Sequence, residues 1–452
     1  MLAMLAVVAA TLAGPRDARA FCGFYVGKAE ASLVNHASQV VMAHHDDKTV
    51  ISLMNDYHGE PSEFALVVPV PVVLQKGQVH IGDRELFRKI DAYSSPRLVE
   101  YFDPDPCAMM ELRGLAASAP IGAMNYAAKA KRDDKALGVK IEAEYTVGEY
   151  DIVILSAKES SGLETWLQQN GYRIPYGARQ ALEPYIRQDM KFFVAKVNLT
   201  EHRRTGLTYL RPLQFAFESP KFMLPIRLGM INAQGPQDLV VYMLSENGRV
   251  ETINYRTVKL PTGMDVPEYV SNQFGDFYKA MFNEQVKRSN MRAVFTEYVW
   301  NMGWCDPCAG PPLSREELKS LGVFWLDGEQ YGGGAYRPGM MPYRQPGGGP
   351  LPVMLTRLHV RYSADTFPED LVFQETQDQE NFQARYVMRH AWTGSPDACP
   401  AARGYFEGVN RRRAHEAETL ADLTGWSIDD VIKKAGLSEE ARPKPWWQGI
   451  WN

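Results

Sequence analysis

The sequence predicts an α+β protein, rich in strands, with mostly antiparallel sheets and one β-α-α-β block. Three observations predict it. Short β-prone runs, 4–8 residues long, recur through most of the chain between turn-rich clusters. Residues 141–199 read as strand, helix, helix, strand. The last hundred residues turn from strands to helices with recognisable starts and stops. Composition agrees with a packed globular protein: of 452 residues, 45% are hydrophobic and 23% charged. That length exceeds one comfortable core, and at ~150 residues per domain it suggests two or three. A net charge of -5 without a basic tail gives no reason to expect nucleic acid or an anionic membrane as partner.

The first twenty residues differ from the rest. Met1 to Gly14 is almost wholly apolar, and Ala18-Arg19-Ala20 offers small residues where a signal peptidase reads. Residues 1–20 are therefore expected to be a signal peptide cleaved near Ala20, leaving Phe21 at the N-terminus of a periplasmic or secreted protein. The apolar run is shorter than the ~20 residues a span needs, and no later segment meets that length.

An N-terminal β-rich domain is expected over 21–157. Val40-Val41-Met42-Ala43, Thr49 to Leu53 and Glu63 to Val68 are strand-like, and His44-His45-Asp46-Asp47-Lys48 reads as a hairpin loop. Pro69 and Pro71 place the next residues at a sheet edge. Asp83 caps a helix running to Tyr93, with Leu86, Phe87 and Ile90 on one face. Cys107 to Gly138 is a long exposed connection rich in Ala, Met, Gly and Lys.

The second expected unit, 158–330, opens with a helix to Gln169, whose stripe is Leu163, Trp166 and Leu167. A second helix, Tyr176 to Met190, contains Pro184 and is expected to kink or break there. Residues 207–260 look like a sandwich-like all-β region, and Asn247-Gly248 is a two-residue hairpin signal. A helix around Phe274 to Phe282 and the alternating run Val294 to Trp300 lead to Trp304-Cys305-Asp306-Pro307-Cys308. Residues 331–350 form a Gly/Pro-rich loop. The last unit, 351–452, has strands at Thr356 to Tyr362, Leu371 to Glu375 and Gln383 to Arg389. It ends in helices over Tyr405 to Leu423 and Ser427 to Ala435.

Several of these motifs carry a resemblance. Phe64-Ala65-Leu66-Val67-Val68-Pro69-Val70-Pro71, Pro96 to Tyr101 and Asp103-Pro104-Asp105-Pro106-Cys107 resemble domain-of-unknown-function family 2330, an uncharacterised family of exported bacterial proteins. The likeness continues through Tyr145 to Asp151, Trp166 to Tyr172, Trp304 to Cys308 and Leu423-Thr424-Gly425-Trp426. It implies an exported protein and assigns neither an activity nor catalytic residues.

Chemistry concentrates at the thiols. An exported chain with five cysteines makes disulfides the default, and the odd count leaves at least one thiol single or intermolecular. Cys305 and Cys308 can be a structural staple, a redox pair with Cys305 attacking and Cys308 resolving, or half of a metal clip. A staple is the better reading, because Ala309-Gly310-Pro311-Pro312 separates Cys305 from the following helix N-terminus that would activate it. Cys22 and Cys107 are the other disulfide candidates, leaving Cys399 odd, although sequence does not decide connectivity. His44, His45 and His58 are weak metal candidates, since adjacent strand residues point to opposite faces. Met109-Met110 and Met340-Met341 read as gap fillers or loop residues, and Arg411-Arg412-Arg413 as a solvated helix face. No Gly-x-Ser-x-Gly, His-Glu-x-x-His or phosphate-loop pattern occurs. The expectation is a non-enzymatic binding or structural module acting on an envelope protein or ligand, without a cofactor. A thiol-disulfide oxidoreductase is the alternative, and a metal-binding protein comes third.

Overall fold

A computed structural model describes residues 24–27, 34–58, 64–108, 140–157, 160–170, 172, 177–207, 209–233, 235–307, 309–327 and 351–438. The protein is α+β and β-rich, with mostly antiparallel sheets. Its centre is a nine-stranded sheet. In spatial order the strands are Arg256–Lys259, Ala293–Asn301, Met354–Tyr362, Gln237–Ser245, Val34–His45, Lys48–His58, Leu213–Glu218 and Val79–Ile81. Phe382–Gln383 pairs beside Ala293–Asn301. Among the described residues two pairs in this sheet are parallel, Arg256–Lys259 with Ala293–Asn301 and Gln237–Ser245 with Val34–His45. The sheet takes strands from all three units expected from the sequence, so boundaries at 157/158 and 330/331 cut through it.

Against one face lies an antiparallel sheet ordered Phe24–Gly27, Phe64–Val70, Lys191–Val197, Tyr150–Ser156 and Lys140–Val147. Val40, Met42, Leu53 and Val241 meet Leu66, Ile152, Ile154 and Phe193 in the core between the two sheets. The helices Ser160–Gln169 and Ala178–Arg187 cover the outer face of the smaller sheet through Leu163, Leu167, Leu182 and Tyr185. This is the β-α-α-β block expected from the sequence. Pro184 neither breaks its helix into two pieces nor lies mid-helix; it falls in the last turn before the end at Arg187.

The other face of the nine-stranded sheet is covered by helices. Arg84–Ser94 docks Leu86, Phe87 and Ile90 onto it, and Asp83 caps that helix by accepting from the Glu85 amide. Further along, Phe274–Arg288 and Pro400–Thr424 pack with Ile428–Lys434 around Phe277, Phe282, Leu420 and Val431. Strands buried on both faces explain the near-continuous apolar runs at Val40 to Ala43 and Leu239 to Leu244.

One expected hairpin is absent. Gln237–Ser245 and Val250–Thr252 flank Asn247-Gly248 but do not pair; the second strand joins a small sheet with Leu371–Glu375 and Met223–Leu224. The turn is a change of sheet. Glu375 Oε1 accepts from the Asn247 and Gly248 amides, and a Cβ on Gly248 would sit 2.3 Å from the Thr376 carbonyl oxygen. Glycine is needed there for close approach. A last three-stranded sheet, Met264–Asp265, Arg385–His390 and Arg97–Phe102, lies beneath the C-terminal helices.

Candidate functional site

The strand Met354–Tyr362 reads Met-Leu-Thr-Arg-Leu-His-Val-Arg-Tyr, and side chains alternate between its faces. Leu358, Val360 and Tyr362 enter the core between the sheets. Arg357, His359 and Arg361 therefore line the helix-facing side. They form a row of charges where an internal strand would ordinarily present apolar residues.

Each of these cations meets a carboxylate. Arg357 donates from Nε to Glu297 Oε2 at 2.5 Å and from Nη1 to Asp91 Oδ1 at 2.6 Å. His359 Nδ1 lies 2.8 Å from Glu297 Oε1, and its Nε2 lies 3.7 Å from Asp238. Arg361 clasps Asp238 in a bidentate pair, 2.8 and 2.7 Å. Tyr242 donates to Asp91, and Tyr278 donates to Glu297. The row thus runs Asp91, Arg357, Glu297, His359, Asp238, Arg361, with signs alternating. It ties the sheet to Arg84–Ser94 at one end and to Phe274–Arg288 at the other, where Phe282 stacks on the His359 ring at 3.8 Å.

Glu297 reaches this row because of a β-bulge. Pairing between Ala293–Asn301 and Met354–Tyr362 shifts between Thr296 and Tyr298, leaving Glu297 as the extra residue. Phe295 opposite His359 and Tyr298 opposite Arg357 face the same side, so the bulge presents Glu297 and Tyr298 there together. Glu297 is wholly buried. Burial opposes its ionisation, yet the charges of Arg357 and His359 hold the carboxyl down at about 2. Burial likewise disfavours an imidazolium at His359, and Glu297 and Asp238 overcome it and raise its pKa. Every charge here faces its opposite, an arrangement suited to fixing the register of helices on the sheet.

The thiol segment is docked beside this row. Asp306 is buried, and its Oδ2 accepts from the Tyr298 hydroxyl at 2.9 Å and from Gln383 Nε2 at 3.0 Å. The Trp300 indole donates to the Trp304 carbonyl at 3.3 Å. The loop is therefore held on both sides of Cys305 while Cys305 itself is an exposed free thiol. Its expected partner, Cys308, lies outside the described residues. The following helix begins only at Arg315, capped by Ser314 with Glu317 in a reciprocal capping box, so Cys305 is not in its first turn.

A family model described as an uncharacterized protein conserved in bacteria, DUF2330, matches residues 16–374. The chain belongs to this family. No curated protein and no solved structure matches it. The whole charged row and the thiol loop lie inside the DUF2330 match, whereas Leu423-Thr424-Gly425-Trp426 and the C-terminal helices lie beyond it.

Two expectations about ligating residues are corrected. Cys107 is bonded to Cys399, across 292 residues, rather than to Cys22; Cys22 lies outside the described residues, and Cys399 is not the odd thiol. The reason is topological. The strand Arg97–Phe102 that leads to Cys107 pairs with Arg385–His390, which leads to Cys399.

The histidines do not assemble. His44 stacks on Phe222 at 3.7 Å within the core between the sheets, bonds Thr49, and is pulled down to about 4, chiefly by burial. His45 points to the opposite face, 2.9 Å from Glu246 and beside Trp325. The backbone of His58 pairs with Val34 at the far end of the same hairpin, roughly 30 Å away at ~3.3 Å per residue. Among the described residues, no group of three His, Cys, Asp or Glu is arranged to hold a metal ion.

Among the described residues, an open groove of about 330 Å³ lies between the edge strand Val79–Ile81 and the turn after the Arg315–Ser320 helix. Gln78, His80, Gln214, Lys319 and Phe324 line it over a floor of Val50 and Ala216. Gly322, at φ +102, allows that turn to press on Val50, 2.5 Å from where a Cβ would stand. Sequence reasoning missed both the groove and the charged row. The row had a signal: Arg357, His359 and Arg361 at period two among Leu358 and Val360.

Proposed function

We propose that this DUF2330 chain is an exported, disulfide-tied binding module of the bacterial cell envelope, taking an envelope protein or ligand rather than turning over a substrate. The observation that carries it is the Cys107–Cys399 disulfide, which closes 292 residues of chain. Such a bridge persists in oxidising compartments and is rare in a reducing cytosol. The apolar leader ending in Ala18-Arg19-Ala20 supports the same destination. No described helix is long and apolar enough to cross a membrane. The groove beside His80 and Phe324 supports a binding role through its mix of ring, amide and cationic groups.

Cell fractionation with N-terminal sequencing and a non-reducing peptide map tests the reading. The expected result is a periplasmic or secreted protein starting at Phe21, with Cys107 and Cys399 in one linked peptide. A cytoplasmic protein that keeps its leader, with both thiols open to alkylation, overturns it. The exposed free thiol of Cys305 keeps a second reading, thiol-disulfide exchange, in view. Equilibration with glutathione separates the two. A couple above about -300 mV whose exchange activity disappears in Cys305→Ser favours the redox reading.

A further inference from the structure

We propose that Glu416 is a proton-operated latch that holds the C-terminal helix Pro400–Thr424 on the three-stranded sheet when protonated and loosens it when ionised. The helix has two kinds of attachment. At its start, Cys399 is covalently bonded to Cys107, and Asp103 clamps the next turns by accepting from Tyr405 Oη and Arg412 Nη2, both at 2.7 Å. Further along, Glu416, Ala417, Leu420 and Leu423 are buried against the core. The first attachment is covalent and charge-balanced. The second contains an unbalanced carboxyl.

The imbalance is visible in the geometry. From the helix itself, Arg412 and Arg413 face Glu416; from Met264–Asp265 and the turn that follows, Asp265 and Glu268 face it. The arginines already have carboxylates: Arg412 has Asp103, Arg413 has Glu268 at 3.6 Å, and Arg389 has Asp265 at 3.0 Å. His390 lies between Glu100, at 3.0 Å, and Glu268, at 3.6 Å. Glu416 is therefore the carboxylate in excess of the cations, and the most deeply buried of them. Its Oε1 is 3.4 Å from Arg412 Nε, but neither atom has a hydrogen-bond partner. A buried carboxylate in that setting is costly, and a neutral carboxylic acid is not.

Burial first, then the negative charges of Asp265 and Glu268, raise Glu416 to about 7 against the pull of Arg412 and Arg413. Because the docked value lies above the ordinary one near 4.5, docking is strongest below pH 4.5. It weakens as pH rises to about 7 and is constant above. An exported protein meets the pH of its surroundings, so the latch would respond to the outside, with the disulfide keeping the loosened helix attached.

Hydrogen exchange on the full, disulfide-intact chain tests this, with opening constants corrected for intrinsic exchange at pH 5 and pH 8. Peptides covering 412–424 are expected to open on the order of fiftyfold more at pH 8 than at pH 5. In Glu416→Gln the two values should agree, which assigns the pH dependence to Glu416. Equal opening of the wild-type chain at both pH values overturns the proposal, as does an undiminished pH dependence in the variant. If Glu416→Gln fails to fold, Asp265→Asn removes a facing negative charge and should move the transition to lower pH; an unmoved transition overturns the latch.

Discussion

On the nine-stranded sheet, Asp91, Glu297 and Asp238 meet Arg357, His359 and Arg361; under the C-terminal helix, Asp103, Asp265, Glu268 and Glu416 meet Arg389, Arg412 and Arg413. The first set is equal in sign and number, and each buried group is satisfied by a short contact. The second has a carboxylate to spare. Both take charges out of water, and the balance decides what each can do. The even row is a register device in which each charge is held by its opposite. The uneven cluster closes most tightly when Glu416 holds a proton. The first lies within the residues matched by the family and the second extends beyond them.

Removing a cation from the even row should be the most damaging change. Arg357→Leu leaves Glu297 buried with His359 as its one remaining cation and removes the guanidinium from Asp91. Breaking a buried pair in this way costs about 3–5 kcal/mol, measured as a fall in the urea midpoint. The paired change Arg357→Leu with Glu297→Gln should recover part of that loss, because the abandoned charge is gone. If the single variant is as stable as wild type, the row is not what holds the helices on the sheet.

Opening the disulfide comes next. Cys399→Ser removes a cross-link over 292 residues and is expected to cost about 2–5 kcal/mol. Hydrogen exchange should place the loss in the C-terminal helices and the Arg385–His390 strand, with the nine-stranded sheet still protected. Uniform loss across the chain would mean the two regions unfold as one unit.

The pH response sharpens the contrast further. Glu297, depressed to about 2, contributes stability that is present above 4.5 and lost as pH falls towards 2. His359, raised above 6.5, contributes stability that is present below 6.5 and lost as pH rises through its folded value. The even row therefore weakens as pH falls towards 2 and again as it rises above 6.5, while the Glu416 cluster weakens between 4.5 and 7. Urea midpoints from pH 2 to 9 for wild type, Glu297→Gln and Glu416→Gln should resolve the acid limb to the first variant and the mid-range slope to the second.

How much of this the sequence disclosed depends on whether the information was local. The Asp83 cap, the strands around Val40 and Thr49, and the C-terminal helices were legible because capping and periodicity act over a few residues. Asn247-Gly248 misled because the same turn chemistry serves a hairpin and a change of sheet; the choice was made by Glu375 and Thr376, distant in sequence. The Cys107–Cys399 bond followed from the parallel pairing of Arg97–Phe102 with Arg385–His390, which no local pattern announces. In the charged row, the Arg-x-His-x-Arg alternation was readable. Its carboxylate partner was not, since Glu297 reaches the row only through a bulge.

The smallest effects should come from the thiol loop, and they divide its two neighbouring residues. Asp306 is buried and accepts from Tyr298 and Gln383, next to the even row. Asp306→Ala leaves both donors without their acceptor and should cost about 1–3 kcal/mol by chemical denaturation. Cys305 is exposed and unbonded, so Cys305→Ser should change stability by less than about 0.5 kcal/mol. The ordering matters more than either value. If Cys305→Ser proves as destabilising as Asp306→Ala, the thiol is part of the loop's anchorage. If it is silent while Asp306→Ala is not, the carboxylate holds the loop and the thiol is carried on it, free to react.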